Sequence, residues 1–151
     1  MQKVLPGLDV LASRGSWERL RPSPELPVYV PYTTSELTRA ALTAVAAFTG
    51  NLSAHVLLVA VQIVPFPLPL DRPPVSPSFV EQKLKAAACE IELPVITQVV
   101  IARDREVAFD RAISPGSLVV LTTKKRWWPT QQVKLARFLV RAGHSVTLLE
   151  I

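Results

Sequence analysis

The sequence predicts an α/β fold, a doubly wound parallel sheet of five strands with helices on both faces. Strand-like runs alternate with amphipathic helical patterns from residue 27 to residue 151, in the order β-α-β-α-β-α-β-α-β. The run from His55 to Val64 is apolar at nearly every position, as in a strand covered on both faces. Hydrophobic residues make up 49% of the chain and charged residues only 19%, which excludes a disordered chain and favours a buried sheet. The length of 151 residues suits one core.

Residues 1 to 26 lack sustained periodicity and contain Pro6, Gly7, Gly15, Pro22 and Pro24, so they read as a tail or linker before a domain at 27–151. Pro27 to Pro31 is the first expected strand. Thr33 and Glu36 have capping-box spacing, and Leu37, Ala41, Val45 and Phe48 follow on one helical face until Gly50-Asn51. His55 to Val64 is the second strand. His55 stands at its entrance, where a hydrogen-bonded histidine is a better reading than a ligand or base. Six prolines between Pro65 and Pro77 preclude helix or inner strand. This stretch reads as a stiff loop of polyproline II character, with Phe66, Leu68 and Leu70 available to pack on the sheet.

Ser78 and Glu81 repeat the capping-box spacing before Val80, Leu84, Ala87 and Ile91 mark a second helix. Pro94 introduces a strand at Val95 to Ile101. Asp104 is a candidate cap for a short helix to Ile113, and Ser114-Pro-Gly-Ser117 turns the chain into a fourth strand at Leu118 to Thr122. Pro129 suits the first turn of the last helix. Val133, Ala136 and Val140 define its apolar face, with Leu135 and Phe138 or Leu139 alongside. Gly143 ends it, and Ser145 to Ile151 is the last strand.

Charge is distributed unevenly. Between Arg111 and Leu149 there are seven Lys or Arg and no Asp or Glu, leaving ten bases and twelve acids elsewhere. The net charge of +5 therefore resides in the last quarter of the chain. It serves solubility alone, or it forms a patch for phosphate, nucleic acid or an anionic membrane surface. The single Cys89 excludes an internal disulfide and reads as a small buried apolar residue. No run approaches the ~20 apolar residues of a spanning helix, and the start does not match a signal peptide, so the expected location is cytoplasmic, with membrane association as an option.

Leu118 to Thr130 is the stretch to which the others point. A buried strand there breaks into Thr122-Thr-Lys-Lys-Arg-Trp-Trp-Pro-Thr130. In an open α/β sheet, ligands bind beyond the carboxyl ends of strands where the strand order reverses. A crevice is therefore expected between Tyr32–Ser35 and Thr122–Arg126.

Val-Tyr-Val-Pro-Tyr-Thr-Thr-Ser-Glu-Leu, residues 28 to 37, resembles the opening of universal stress protein (UspA-like) domains, where a strand ending Val-Pro-x-Asp-x-Ser enters a helix. Pro65 after the second strand, Pro94-Val95 and Leu118 to Leu121 extend the resemblance over roughly residues 26 to 151. It implies a Rossmann-like sheet of the adenine nucleotide α-hydrolase-like type, with strand order 3-2-1-4-5 and dimerisation through the last strand. It also implies that contacts to an adenine nucleotide such as ATP would come from Thr33, Val61, Thr122, Thr123 and Lys124. Two departures oppose that cofactor. Thr33 stands where the ATP-binding branch carries an acid, and no glycine lies between Gly116 and Gly143, where that branch has a Gly-x-x-Gly loop. Trp127 and Trp128 would crowd the usual phosphate position.

These features lead to a non-catalytic regulatory or stress-response module that lacks the usual ATP binding. No Ser-His-Asp, metal or paired-carboxylate constellation suggests an enzyme. The alternatives are docking to an anionic membrane surface or a membrane transporter, and an ATP-binding universal stress protein. The docking patch would comprise Lys124, Lys125, Arg126, Trp127 and Trp128, continued by Lys134, Arg137 and Arg141. Nucleic-acid binding ranks lower, because no reader motif accompanies the basic stripe. Val146 to Ile151 has apolar alternation guarded only by Glu150, which points to a homodimer through this edge strand.

Overall fold

The computed structural model describes residues 26–49 and 54–151. The expected tail over residues 1 to 26, but for Leu26, and the expected helix stop at Gly50-Asn51 lie outside the described residues. The elements are β1 (Leu26–Pro31), α1 (Ser35–Phe48), β2 (Ala54–Ile63), α2 (Pro77–Ala88), β3 (Val95–Ala102), α3 (Arg105–Ala112), β4 (Leu118–Thr123), α4 (Gln131–Arg141) and β5 (Ser145–Glu150). All strand pairs are parallel, in the order β3-β2-β1-β4-β5. The expected five-stranded, doubly wound sheet is the one found.

Apolar patterning sorts the helices to the two faces. Val28, Val30, Val56, Leu58 and Val120 point to the side where Ala41, Leu42 and Val45 of α1 meet Leu84 and Ala87 of α2. The alternate residues Tyr29, Leu57, Val59, Val119 and Leu121 face Phe109 and Ala112 of α3 and Leu135 and Leu139 of α4. Because strand side chains alternate between faces, β1 and β4 must be apolar at consecutive positions to serve both layers. Tyr29 is fully buried, and its phenol oxygen is 3.2 Å from Ser114 Oγ, so the polar tip of a core side chain is satisfied.

Several local details differ from the sequence expectation. Thr34, not Thr33, caps α1, its Oγ1 accepting from Leu37 N at 3.2 Å. Glu36 is thus one position too early to close a capping box. Ser76 precedes α2 without a side-chain cap bond and Pro77 takes the first helical position, so Ser78 and Glu81 already lie inside the helix. Glu81 pairs with Lys85 one turn on. Thr130 caps α4, its Oγ1 accepting from Val133 N, which leaves Pro129 outside the helix. Asp104 caps α3 as expected, Oδ1 accepting from Val107 N at 3.0 Å. Cys89 is exposed, because it falls at the end of α2 and not on its buried face.

The proline-rich connection is built of turns, closed by Leu68 N to Pro65 O and Arg72 N to Pro69 O, and not of polyproline II helix. Phe66, Leu68 and Leu70 are exposed and do not return to the sheet. Arg103 organises them: its Nη1 donates to Val64 O at 3.1 Å and Leu68 O at 2.7 Å, and its guanidinium lies 3.9 Å from the centre of the Phe66 ring.

The buried face of α4 is also rotated from expectation. Gln132, Leu135, Ala136 and Leu139 are buried, whereas Val140 is 56% exposed. The C-terminal end of α4 is fixed by a Schellman arrangement: His144 N donates to Leu139 O and Gly143 N to Val140 O, with Gly143 at φ +99°. This assignment separates two adjacent residues. Leu139→Ala should destabilise the fold by about 2–5 kcal/mol through a buried cavity, while Val140→Ala should stay within about 0.5 kcal/mol. Urea midpoints of the two variants compare them directly.

Candidate functional site

The strand order reverses between β1 and β4. The chain leaves β1 toward β2 on one side and returns from β3 to β4 on the other. Their carboxyl ends therefore splay apart beneath the N-termini of α1 and α4. A cleft of about 570 Å³ opens there, lined by Thr34 to Leu37 from α1 and its cap and by Lys124, Arg126, Thr130, Gln131 and Gln132 opposite. Its position is the one expected from the element order.

Polar groups at this switch point are largely committed to the fold. The Thr122 hydroxyl donates to the Leu37 carbonyl, fastening β4 to α1. Thr123 Oγ1 is 2.6 Å from Thr130 Oγ1, and Thr130 in turn caps α4. The two ends of the connection 124–129 are thereby held together at its base. Thr33 N donates to the buried Thr38 hydroxyl at 3.1 Å, and Tyr32 N donates to Val59 O at 2.7 Å. Val61 is half-buried and packs against the core on the α3/α4 side. Of the five residues expected to meet a nucleotide, Lys124 lines the cleft; Thr33, Val61, Thr122 and Thr123 are not among its lining residues.

Lys124 does not present a free charge. Its Nζ lies 2.8 Å from Glu36 Oε2, so an ion pair spans the cleft from the loop to the first turn of α1. Both side chains remain about half exposed, which limits the contribution of such a pair to about 0–1 kcal/mol. Lys125 and Arg126 are exposed and make no ion pair with another described residue. Trp127 and Trp128 do not crowd the cleft. They are 99% and 66% exposed and point away from it. The other expected patch residues, Lys134, Arg137 and Arg141, are exposed along α4.

A second cleft, of about 440 Å³, lies on the α3/α4 side. It is lined by Ile63 at the end of β2, Arg103 to Glu106, Gln131, Lys134 and Leu135. Arg105 Nη1 donates to Gln131 Oε1 at 3.1 Å and ties the start of α3 to the start of α4. Desolvation of the half-buried guanidinium lowers its pKa from the usual arginine value, and the neighbouring Glu106 carboxylate opposes that shift. The group remains cationic at neutral pH. Sequence reasoning missed both Arg103 and Arg105, because their partners lie more than twenty residues away and no local spacing announces them. A third, mainly apolar groove of about 480 Å³ runs between α4 and the edge strand β5, lined by Val133, Ala136, Val140, Val146, Leu148 and the stems of Arg137 and Arg141.

At the amino end of β5, the buried His144 places Nε2 2.7 Å from Asp110 Oδ1, linking the α4–β5 turn to α3. Among the described residues no group of three or more His, Cys, Asp or Glu could hold a metal ion. No helix among them is long and apolar enough to cross a membrane.

No protein-family model matches the sequence, and no curated protein matches it. Among solved structures, it is similar to the hypothetical protein MJ0577, the subject of a structure-based assignment of biochemical function. The two share 12% identity at a TM-score of 0.52, over 84% of this chain and 96% of that one. Universal stress protein UspA from Lactobacillus plantarum aligns at 12% identity and a TM-score of 0.48, over 84% of this chain and 99% of its own. The chain shares the fold of the hypothetical protein MJ0577. The likeness is one of architecture: element order and the strand order 3-2-1-4-5 agree with the expectation from residues 28 to 37.

The switch point yields a contrast in stability. Thr122→Val keeps the shape and removes the bond to Leu37 O, and should cost about 1 kcal/mol. Glu36→Gln, which breaks the exposed pair with Lys124, should cost less than that. Chemical denaturation of both variants measures the difference.

Proposed function

We propose that this chain is a non-catalytic regulatory binding module of the universal-stress kind that works without the ATP site of the ATP-binding branch. The observation that carries this reading is the closed base of the β4–α4 connection. A phosphate cradle needs consecutive backbone N–H groups turned toward the ligand, which glycines permit and bulky residues oppose. Here the connection from Lys124 to Pro129 contains no glycine, Thr123 is bonded to Thr130, and Thr130 occupies the Val133 N–H. The Thr122 hydroxyl is spent on the Leu37 carbonyl, and Thr34 Oγ1, which lines the cleft, accepts from Leu37 N. Lys124 is drawn to Glu36. What the cleft offers a nucleotide is thus side-chain charge from Arg126 without a backbone nest.

The protein should purify without bound nucleotide and show no thermal shift with ATP and magnesium. A saturable shift at micromolar ATP would overturn the reading in favour of an ATP-binding universal stress protein.

The same reading includes a homodimer through β5. Among the described strands β5 pairs only with β4, so its outer edge presents backbone donors and acceptors to solvent. The adjoining apolar groove adds Val140, Val146 and Leu148 to that edge. Light scattering should give the mass of a dimer, and Val140→Glu should return it to monomer. A monomer at high concentration contradicts the dimer and leaves the nucleotide reading standing.

A further inference from the structure

We propose that the tip of the β4–α4 connection docks the domain on an anionic lipid surface, with Trp127 and Trp128 entering the interfacial zone while Lys125 and Arg126 contact headgroup phosphates and carboxylates. The first support is exposure. Trp127 is 99% exposed and Trp128 66%, so two adjacent indoles are held in water; other large apolar side chains such as Phe66 and Phe79 are exposed too, but each of those rings has a cation over it, Arg103 and Lys83 respectively. An indole is amphipathic, with an apolar ring and an N–H donor, and the membrane–water boundary satisfies both parts together.

The second support is charge. Besides the exposed Asp71 of the β2–α2 connection, four carboxylates belong to elements at this end of the sheet. Glu36 is neutralised by Lys124, Asp104 caps α3, Glu106 lies beside Arg105, and Glu150 ends β5. Lys125 and Arg126, next to the indoles, are left without an ion pair among the described residues. No Asp or Glu occurs from Arg111 to Leu149, so Lys134, Arg137 and Arg141 continue the positive field down the exposed side of α4. Cations near an anionic leaflet gain from its surface potential within about a Debye length.

The third support is shape. With Thr123 and Thr130 joined at the base, residues 124–129 form a narrow loop that projects from the end of the sheet. Proteins that hold single-stranded nucleic acid combine stacking residues with a charged groove that tracks the backbone. A projecting tip whose leading indole touches almost nothing lacks that groove, whereas it can enter a planar interface without rearrangement. One loop with two aromatics and two cations gives weak, reversible association, comparable to a single anchoring signal.

Co-sedimentation of the full chain tests this with two vesicle preparations, one of phosphatidylserine with phosphatidylcholine and one of phosphatidylcholine alone. The protein should pellet with the anionic vesicles and stay in solution with the neutral ones, and added salt should release it. Trp127→Ala/Trp128→Ala should abolish pelleting, and Lys125→Glu/Arg126→Glu should reduce it by at least about fivefold. All four side chains are exposed, so melting temperatures near that of the parent should accompany the loss. Quenching of tryptophan emission by brominated acyl chains, in a Trp17→Phe background, should report insertion of the two loop indoles. Absence of pelleting with anionic vesicles, or pelleting unchanged in both variants, overturns the proposal. Capture of a single-stranded oligonucleotide through the same residues without vesicle binding would assign the loop to nucleic acid and overturn it equally. Arg126 also lines the cleft, so the separation from the response to ATP rests on the two tryptophans, which do not line it.

Discussion

The burial of β1 and β4 on both faces is the constraint from which the remaining architecture follows. Val28 to Val30 and Val119 to Leu121 are essentially inaccessible to solvent, and each consecutive pair of side chains serves opposite helix layers. A strand in that position has little water to satisfy polar groups at its ends, so buried hydroxyls near it are best paired within the protein, and three of them are, although Ser117 Oγ before β4 is not. Tyr29 finds Ser114, Thr122 finds Leu37 and Thr123 finds Thr130. The same bonds that let the central pair be buried also occupy the atoms at the topological switch point. Structure and candidate function are connected there, since the Thr122 proton that fastens β4 to α1 is not free to donate to a ligand.

What was legible in the sequence was the part governed by periodicity. Consecutive apolar residues in β2, and the i, i+4 spacing of Leu37, Ala41 and Val45, depend on which faces are covered, and they located the strands and helices to within a residue or two. Local chemistry was less legible where the same signal occurs twice. Thr33 and Thr34 can each cap a helix; the backbone resolves the choice by extending Thr34 and placing Thr38 Oγ1 under the Thr33 amide. Along α4, Val133, Ala136 and Val140 follow one stripe while Gln132, Leu135 and Leu139 follow another. The sheet takes the second, leaving the first to edge the groove beside β5.

The site was legible in position and not in detail. Element order located the crevice between the ends of β1 and β4, because that depends on topology alone. It did not disclose that Lys124 would reach across to Glu36, nor that Arg103 would gather the proline-rich connection by binding two carbonyls more than thirty residues away. The resemblance led to the expectation that Trp127 and Trp128 crowd the phosphate position, whereas both are exposed and neither lines the cleft. A resemblance to universal stress proteins supplied the expectation of a nucleotide loop. The connection 124–129 has no glycine, and the threonines at its base are bonded to each other.

The β4–α4 corner is proposed to offer no phosphate cradle. Backbone amide resonances of the isotopically labelled protein, followed during titration with magnesium ATP, test it at the residues concerned. The account predicts no saturable shift at the amides of Lys124 to Gln131. Saturable perturbation centred on those amides, at micromolar nucleotide, would contradict it.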